Sequence, residues 1–199
     1  MSEGRKAGRS ESKSNMLPIH ISNNPPCACF APRPALRFAH CSAKAVAELL
    51  MDSNRVKVYN KMSLGRTDVT LFQSGIRTKS KEWGEGETKI VKNKTKPPMI
   101  SKTMVFTTLM HARKMSDSSY VVVSRAVSDG EGDVEEGNTI KSEIMLGVNI
   151  LRPLTESSCE LSSVTHVNSP LVPSRMAKTV GVKGAVNFIN DIRALGKNK

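Results

Sequence analysis

The sequence predicts an α+β domain in which a curved antiparallel sheet is closed by one C-terminal helix. Three observations carry this. Residues 118–130, SSYVVVSRAVSDG, are a β-branched run that ends in a Gly/Asp turn. Residues 140–154, IKSEIMLGVNILRPL, alternate, so that Ile144, Leu146, Val148 and Ile150 share one face while Glu143, Gly147 and Asn149 share the other. ELSSVTHVN at 160–168 adds a third strand, and 169–195 then reads as a long helix. A helix laid across a curved sheet leaves an apolar centre, the usual place for a small-molecule site.

Taken in order, the elements begin at Ser42, a side chain suited to capping a helix whose apolar face is Ala45, Val46, Leu49 and Leu50. Asp52-Ser53-Asn54 ends it with turn chemistry. Residues 56–65 are ambiguous. TDVTLFQSG at 67–75 alternates as a strand, and the Gly-bearing, polar 77–88 is a surface loop that contains Trp83. TKIVKNKTK at 88–96 reads as an edge strand, its lysines opposing unwanted edge pairing, and Pro97-Pro98 breaks it. SKTMVFTTLMHARKM at 101–115 is the long strand. Its faces are Lys102, Met104, Phe106, Thr108 and Met110 on one side, and Thr103, Val105, Thr107, Leu109 and His111 on the other. Across strands, Arg125 is placed to pair with Glu143. In the terminal helix Pro170 and Pro173 set the first turn. Met176, Val180, Ala185, Phe188, Ile189, Ile192 and Leu195 make its apolar stripe, interrupted by Gly181 and Gly184. Each glycine lowers helix stability by up to ~1 kcal/mol relative to Ala, which suits either a flexible lid or close packing on the sheet.

This order of segments resembles the START domains, the lipid-transfer family named after the steroidogenic acute regulatory protein. The stretches that carry the resemblance are AKAVAELLMDSNRVKVYN (43–60), KPPMISKTMVFTTLMHARKMSDSSYVVVSRAV (96–127), IKSEIMLGVNILRPL and THVNSPLVPSRMAKTVGVKGAVNFINDIRAL. They span residues 42–195 and leave out 1–41, where the family has an N-terminal helix and its first strands. The resemblance implies a helix-grip fold with its N-terminal strands missing, comprising 42–196. It also implies a lipid, phospholipid or sterol-like, held between sheet and helix for transfer or sensing. It favours the Lys102 face of the long strand as cavity-facing, with Lys102 at the position where phosphatidylcholine-binding members meet the lipid phosphate. The family's acidic neighbour is here Thr103. The expected ligand-binding set is therefore Lys102, Met104, Phe106, Thr108, Ile144, Leu146, Val148, His166, Met176, Val180 and Gly184. A module of the same fold with an incomplete cavity, serving interaction or regulation, is the alternative.

Composition agrees with one domain and a tail. The 199 residues are 38% hydrophobic but only 4% aromatic, so aliphatic side chains and the ten methionines would line any cavity. With 30 Lys and Arg against 18 Asp and Glu, the formal charge is +12. That balance suits anionic partners such as a membrane surface, although basic residues scattered around turns and strand ends, as these are, also read as a plain solvated basic face. Nucleic acid is disfavoured, because the chain has no finger, RNA-recognition motif or basic helix and few aromatics for stacking. No uncharged apolar run is long enough to span a bilayer. Residues 1–41 read as a disordered, basic and Pro-rich tail; organelle targeting is the competing reading, opposed by Glu3 and Glu11.

Cys27, Cys29, Cys41 and Cys159 form no disulfide framework, which points to a reducing, cytoplasmic setting. Cys27, Cys29, His40 and Cys41 match no structural zinc spacing, and Asp129, Glu131 and Asp133 lack the glycine and glutamate of a calcium loop. The chain carries no nucleophile elbow, His-Glu-x-x-His pair or phosphate-cradling Gly-rich loop. Lys102, Thr108 and His166 are the polar groups a pocket enzyme would have to use, too few to suggest catalysis. No cofactor is expected.

Overall fold

The computed structural model describes residues 36–38, 41–98, 101–127, 137–170 and 174–197, with side chains described from Cys41 onward except at 174–178, 180, 196 and 197. The chain enters as strand β1, Leu36–Phe38, within the stretch that composition assigns to the tail. Ser42 then caps helix α1, Ala43–Met51, its Oγ accepting from the Ala45 amide at 3.2 Å. The face of α1 that packs inward is Ala43, Val46, Ala47, Leu49, Leu50 and Met51, whereas Ala45 is exposed. Asp52 stops the helix and accepts from Asn54 N–H, starting a single 3-10 turn, Ser53–Arg55, and the short helix α2, Val56–Tyr59.

Strand β2, Ser63–Gln73, is the far edge of the sheet, followed by the small hairpin β3–β4, Lys79–Ser80 with Gly84–Glu85. The Gln73 amide gathers that hairpin loop, donating to the carbonyls of Thr78 at 2.8 Å, Gly84 at 3.1 Å and Gly86. Trp83, which sequence places in a polar loop, lies against Phe72 with ring centroids 4.4 Å apart. Strands β5, Glu87–Thr95, β6, Thr103–Lys114, and β7, Tyr120–Ala126, follow antiparallel. The short β8, Thr139–Lys141, runs parallel to the start of β6, and the long hairpin β9–β10, Glu143–Thr155 with Ser158–Asn168, completes the sheet. Its order is β1-β10-β9-β7-β6-β5-β2, with β8 on β6. Helix α3, Ser174–Lys197, closes the chain.

Pairing fixes which side chains share a face, because directly opposed residues point the same way. One row runs Glu87, Ala112, Val122, Asn149, Ser163, and its neighbour runs Lys89, Met110, Ser124, Gly147, Thr165. These rows lie on the inner face, the side where α1 and α3 sit: Ala112, Val122, Tyr120, Leu151, Leu161 and Cys159 pack with the α1 residues and with Ile192 of α3 in one core. The outer face carries the row Thr88, His111, Val123, Val148, Val164.

Two strand expectations change in this frame. Strand β5 is interior, not an edge, since it pairs with both β2 and β6. Its lysines divide by face: Lys89 is buried in the core side, while Lys92 and Lys94 point outward. Arg125 falls one residue past the Ser124↔Gly147 pair, level with Leu146, and forms no ion pair with Glu143 among the described residues; Glu143 accepts from the Asn168 amide at 3.2 Å. The rest of the tail (residues 1–35, 39 and 40, with Cys27, Cys29 and His40), the acidic turn at 129–133 and Pro173 lie outside the described residues.

Candidate functional site

Strand β6 supplies a central part of the sheet's inner face. Strict alternation buries Met104, Phe106, Thr108, Met110 and Ala112, while their neighbours stay half-buried. Met110 and Ala112 belong to the core beneath α1. Met104, Phe106 and Thr108 continue past it at 5%, 7% and 2% exposure. The Thr108 Oγ1 has no hydrogen-bond partner among the described residues, and its register neighbour on β5 is Val91, an apolar side chain. Beside this strip a small polar chain satisfies itself: Ser63 donates to Asn93 Oδ1 at 2.9 Å, and the Asn93 amide donates to Thr95 Oγ1 at 3.2 Å. Lys102 lies half-buried in the bend that precedes β6.

Helix α3 is fixed over this face by its C-terminal half. Ile192 is fully buried, and Phe188, Ile189 and Leu195 pack on the core. Phe188 meets Tyr59 edge-on, with centroids 5.9 Å apart and an 82° angle between rings. Gly184 is half-buried, and a Cβ there would lie 3.9 Å from the Met62 Cε, an ordinary contact. Met176 and Val180 lie on α3 but their side chains are outside the described residues.

The β9 residues expected to face the cavity do not do so together. Gly147, Asn149 and Leu151 are the inner set, which puts Leu146 and Val148 on the outer face, Leu146 at 44% exposure. His166 pairs with Leu146 and shares that outer side; its Nε2 is buried without a partner among the described residues. Ile144 escapes the inversion because the register jumps from His166↔Leu146 to Val167↔Ile144, leaving Met145 as the extra residue of a bulge. The Ile144 Cγ2 accordingly lies 3.5 Å from where a Cβ on inner-facing Gly147 would be. Period two cannot announce a bulge, and an apolar strand with a half-exposed outer face looks the same from either side.

A polar cluster on the inner face of β2 and β5, under α1 and α2, escaped the sequence reading. Arg66 donates to Ser53 Oγ at 2.9 Å, to Tyr59 Oη at 3.0 Å and to the Leu50 carbonyl at 2.9 Å. Lys89 Nζ reaches Asp68 at 3.0 Å and Glu87 at 3.6 Å, and Ser53 donates to the other Asp68 oxygen. Burial pushes the Asp68 carboxyl up, but the Ser53 and Lys89 hydrogen bonds and the charges of Lys89 and Arg66 outweigh it, so the group sits below its ordinary value. The Tyr59 phenol is pushed up, chiefly by burial, against the opposing Arg66. Ser53, Asp68, Glu87 and Lys89, with Glu48, Met51, Asp52 and Asn54, line a polar cleft of about 200 Å³. Its groups satisfy one another and face solvent, so the cleft suits a structural network better than an apolar guest. The cue in sequence was the alternation Lys89, Val91, Asn93, Thr95, legible only once β5 is known to be interior.

Among the described residues no three His, Cys, Asp or Glu side chains converge on a point where they would hold a metal ion. No described helix is long and apolar enough to cross a membrane.

No protein-family model matches the chain, and no curated protein matches it in sequence. Solved structures do match its architecture. The human StarD13 (DLC2) lipid transfer and protein localization domain has a TM-score of 0.62 at 10% identity, over 80% of this chain and 73% of that one. Human STARD10 gives 0.62 at 10% identity over 79% of this chain, which spans only 60% of that structure. A STAR-related lipid transfer protein from Xanthomonas axonopodis gives 0.62 at 16% identity over 82% and 83% of the two chains. At such identities the likeness concerns the fold: this chain has the START helix-grip fold.

Proposed function

We propose that this chain is a non-catalytic lipid-binding protein that holds one lipid between the inner face of β6 and helix α3, for transfer or sensing. The observation that carries the reading is the strip Met104, Phe106, Thr108, buried beyond the α1 core on a sheet whose closing helix is glycine-interrupted at Gly181 and Gly184. The lipid transfer activity named for the structural neighbours supports the same reading. The driving force is removal of acyl or ring surface from water, about 25 cal/mol per Å² of apolar area. Ile144 and Gly184 complete the inner set; Leu146, Val148 and His166 are left out of it by the register. The formal charge of +12 favours collision with anionic membranes, where each Lys or Arg near the surface contributes on the order of 1 kcal/mol. The free thiols of Cys41 and Cys159 are consistent with a cytoplasmic setting.

A second reading is favoured by one observation. Met104, Phe106 and Thr108 are nearly inaccessible, as expected for a solidly filled interior and an interaction module of START fold. Incubating the full chain with mixed liposomes and weighing it by native mass spectrometry separates the two. A stoichiometric lipid adduct supports the carrier. A folded protein that takes up nothing supports the interaction module.

A further inference from the structure

Thr108 is the polar side chain in an apolar stretch of the inner wall, and its hydroxyl is unpaired among the described residues. It is 2% exposed, Val91 lies opposite it at 1%, and Phe106 and Met110 flank it on the same face, each at 7%. A buried hydroxyl without a partner destabilises the protein unless something else supplies the hydrogen bond. The two cations of the inner face of β2 and β5 are otherwise engaged: Arg66 with Ser53, Tyr59 and Leu50, and Lys89 with Asp68 and Glu87. Lys102, in the bend before β6, and Lys114, at its far end on the same face, each stand six residues from Thr108, or roughly 20 Å at about 3.3 Å per strand residue. A phospholipid anchored by its phosphate at Lys102 would bring methylenes to Thr108, which satisfy nothing.

We infer that the ligand is a neutral amphiphile whose single hydroxyl or carbonyl pairs with the Thr108 hydroxyl deep in the fold, and that Thr108 is its specificity-determining residue. The inference rests on the lipid-binding reading above. Substituting Thr108→Val keeps the shape and removes the hydroxyl, so it weakens binding while relieving an unpaired group in the free protein. That combination separates a recognition role from a structural one.

The test uses the full chain and phosphatidylcholine vesicles that contain cholesterol and diacylglycerol, with bound lipid identified by native mass spectrometry. The expected result is an adduct of cholesterol or diacylglycerol. Its affinity falls about tenfold in Thr108→Val, is retained in Thr108→Ser and is unchanged in Lys102→Glu. Lipid-free Thr108→Val melts at or above the wild-type temperature. A phosphatidylcholine adduct, a neutral adduct indifferent to Thr108→Val, or a Thr108→Val protein that melts lower would each overturn the inference. The first two of these leave lipid binding standing. Uptake of no lipid from any vesicle would remove the lipid-binding reading itself.

Discussion

Lys89 Nζ lies 3.0 Å from Asp68 Oδ2 on the neighbouring strand, with the lysine side chain 5% exposed and the aspartate 43%. Glu87 stands 3.6 Å from the same ammonium, so a nearly buried cation is held by two carboxylates from the inner face. Removing the cation leaves Glu87, 18% exposed, without its counter-charge, whereas removing one carboxylate leaves the other in place. Lys89→Ala should therefore lower stability by about 3 kcal/mol, and the half-exposed Asp68→Asn by about 1 kcal/mol, in chemical denaturation. The Asp68 value is depressed on folding, so its contribution is present above the ordinary value of 3.8 and is lost as pH falls through the lower folded value. Acid titration of stability should lose a step below about pH 4 in Asp68→Asn. Equal losses in the two variants would refute this division of roles.

His111 tests the outer face. Its Nδ1 is 2.8 Å from Thr88 Oγ1, and burial, with Arg113 adding to it, holds the imidazole below its ordinary value of 6.5. A histidine depressed on folding stabilises fully above its unfolded value, and that contribution fades as pH drops through and below 6.5. Thermal melts between pH 7.5 and 5 should decline more steeply for wild type than for His111→Gln (the range brackets the ordinary histidine value of about 6.5). Parallel slopes would show that the ring is not perturbed.

The inverted face of β9 predicts opposite outcomes for two leucines five residues apart. Leu151 is fully buried and Leu146 is 44% exposed. Leu151→Ala should cost about 3 kcal/mol, within the range for a buried leucine, and Leu146→Ala less than about 1 kcal/mol. Similar costs would mean that the strand presents its residues otherwise than the register indicates.

Two glycines should respond with opposite signs. A Cβ on Gly184 meets Met62 at 3.9 Å in a helical backbone, so Gly184→Ala should raise stability by about 0.5–1 kcal/mol and slow any exchange of bound lipid that needs the helix to flex. Gly86 has φ +131°, and a Cβ there would come within 2.4 Å of the Ala112 carbonyl oxygen. Gly86→Ala should lose about 2 kcal/mol or more, because strained backbone and backbone collision add. Denaturant midpoints measure both, and a destabilised Gly184→Ala would show that α3 packs more closely than this.

Sequence alone determined what is local. Ser42 with its apolar sequel set α1; the alternation of residues 101–115 set both faces of β6; and β-branched runs set β7, β9 and β10, because capping and period two act within a few residues. The resemblance to START domains, carried by segment order, anticipated the closing helix. Tertiary structure decided what depends on a neighbour. Pairing on both sides turned β5 from an edge into an interior strand and buried Lys89; a one-residue bulge at Met145 separated Ile144 from Leu146 and Val148; and the Arg66–Asp68–Lys89 cluster came together from β2 and β5 under α1. Whether a side chain faces core or solvent depends on register, and register is set by the strand alongside, so no stretch of a single strand encodes it.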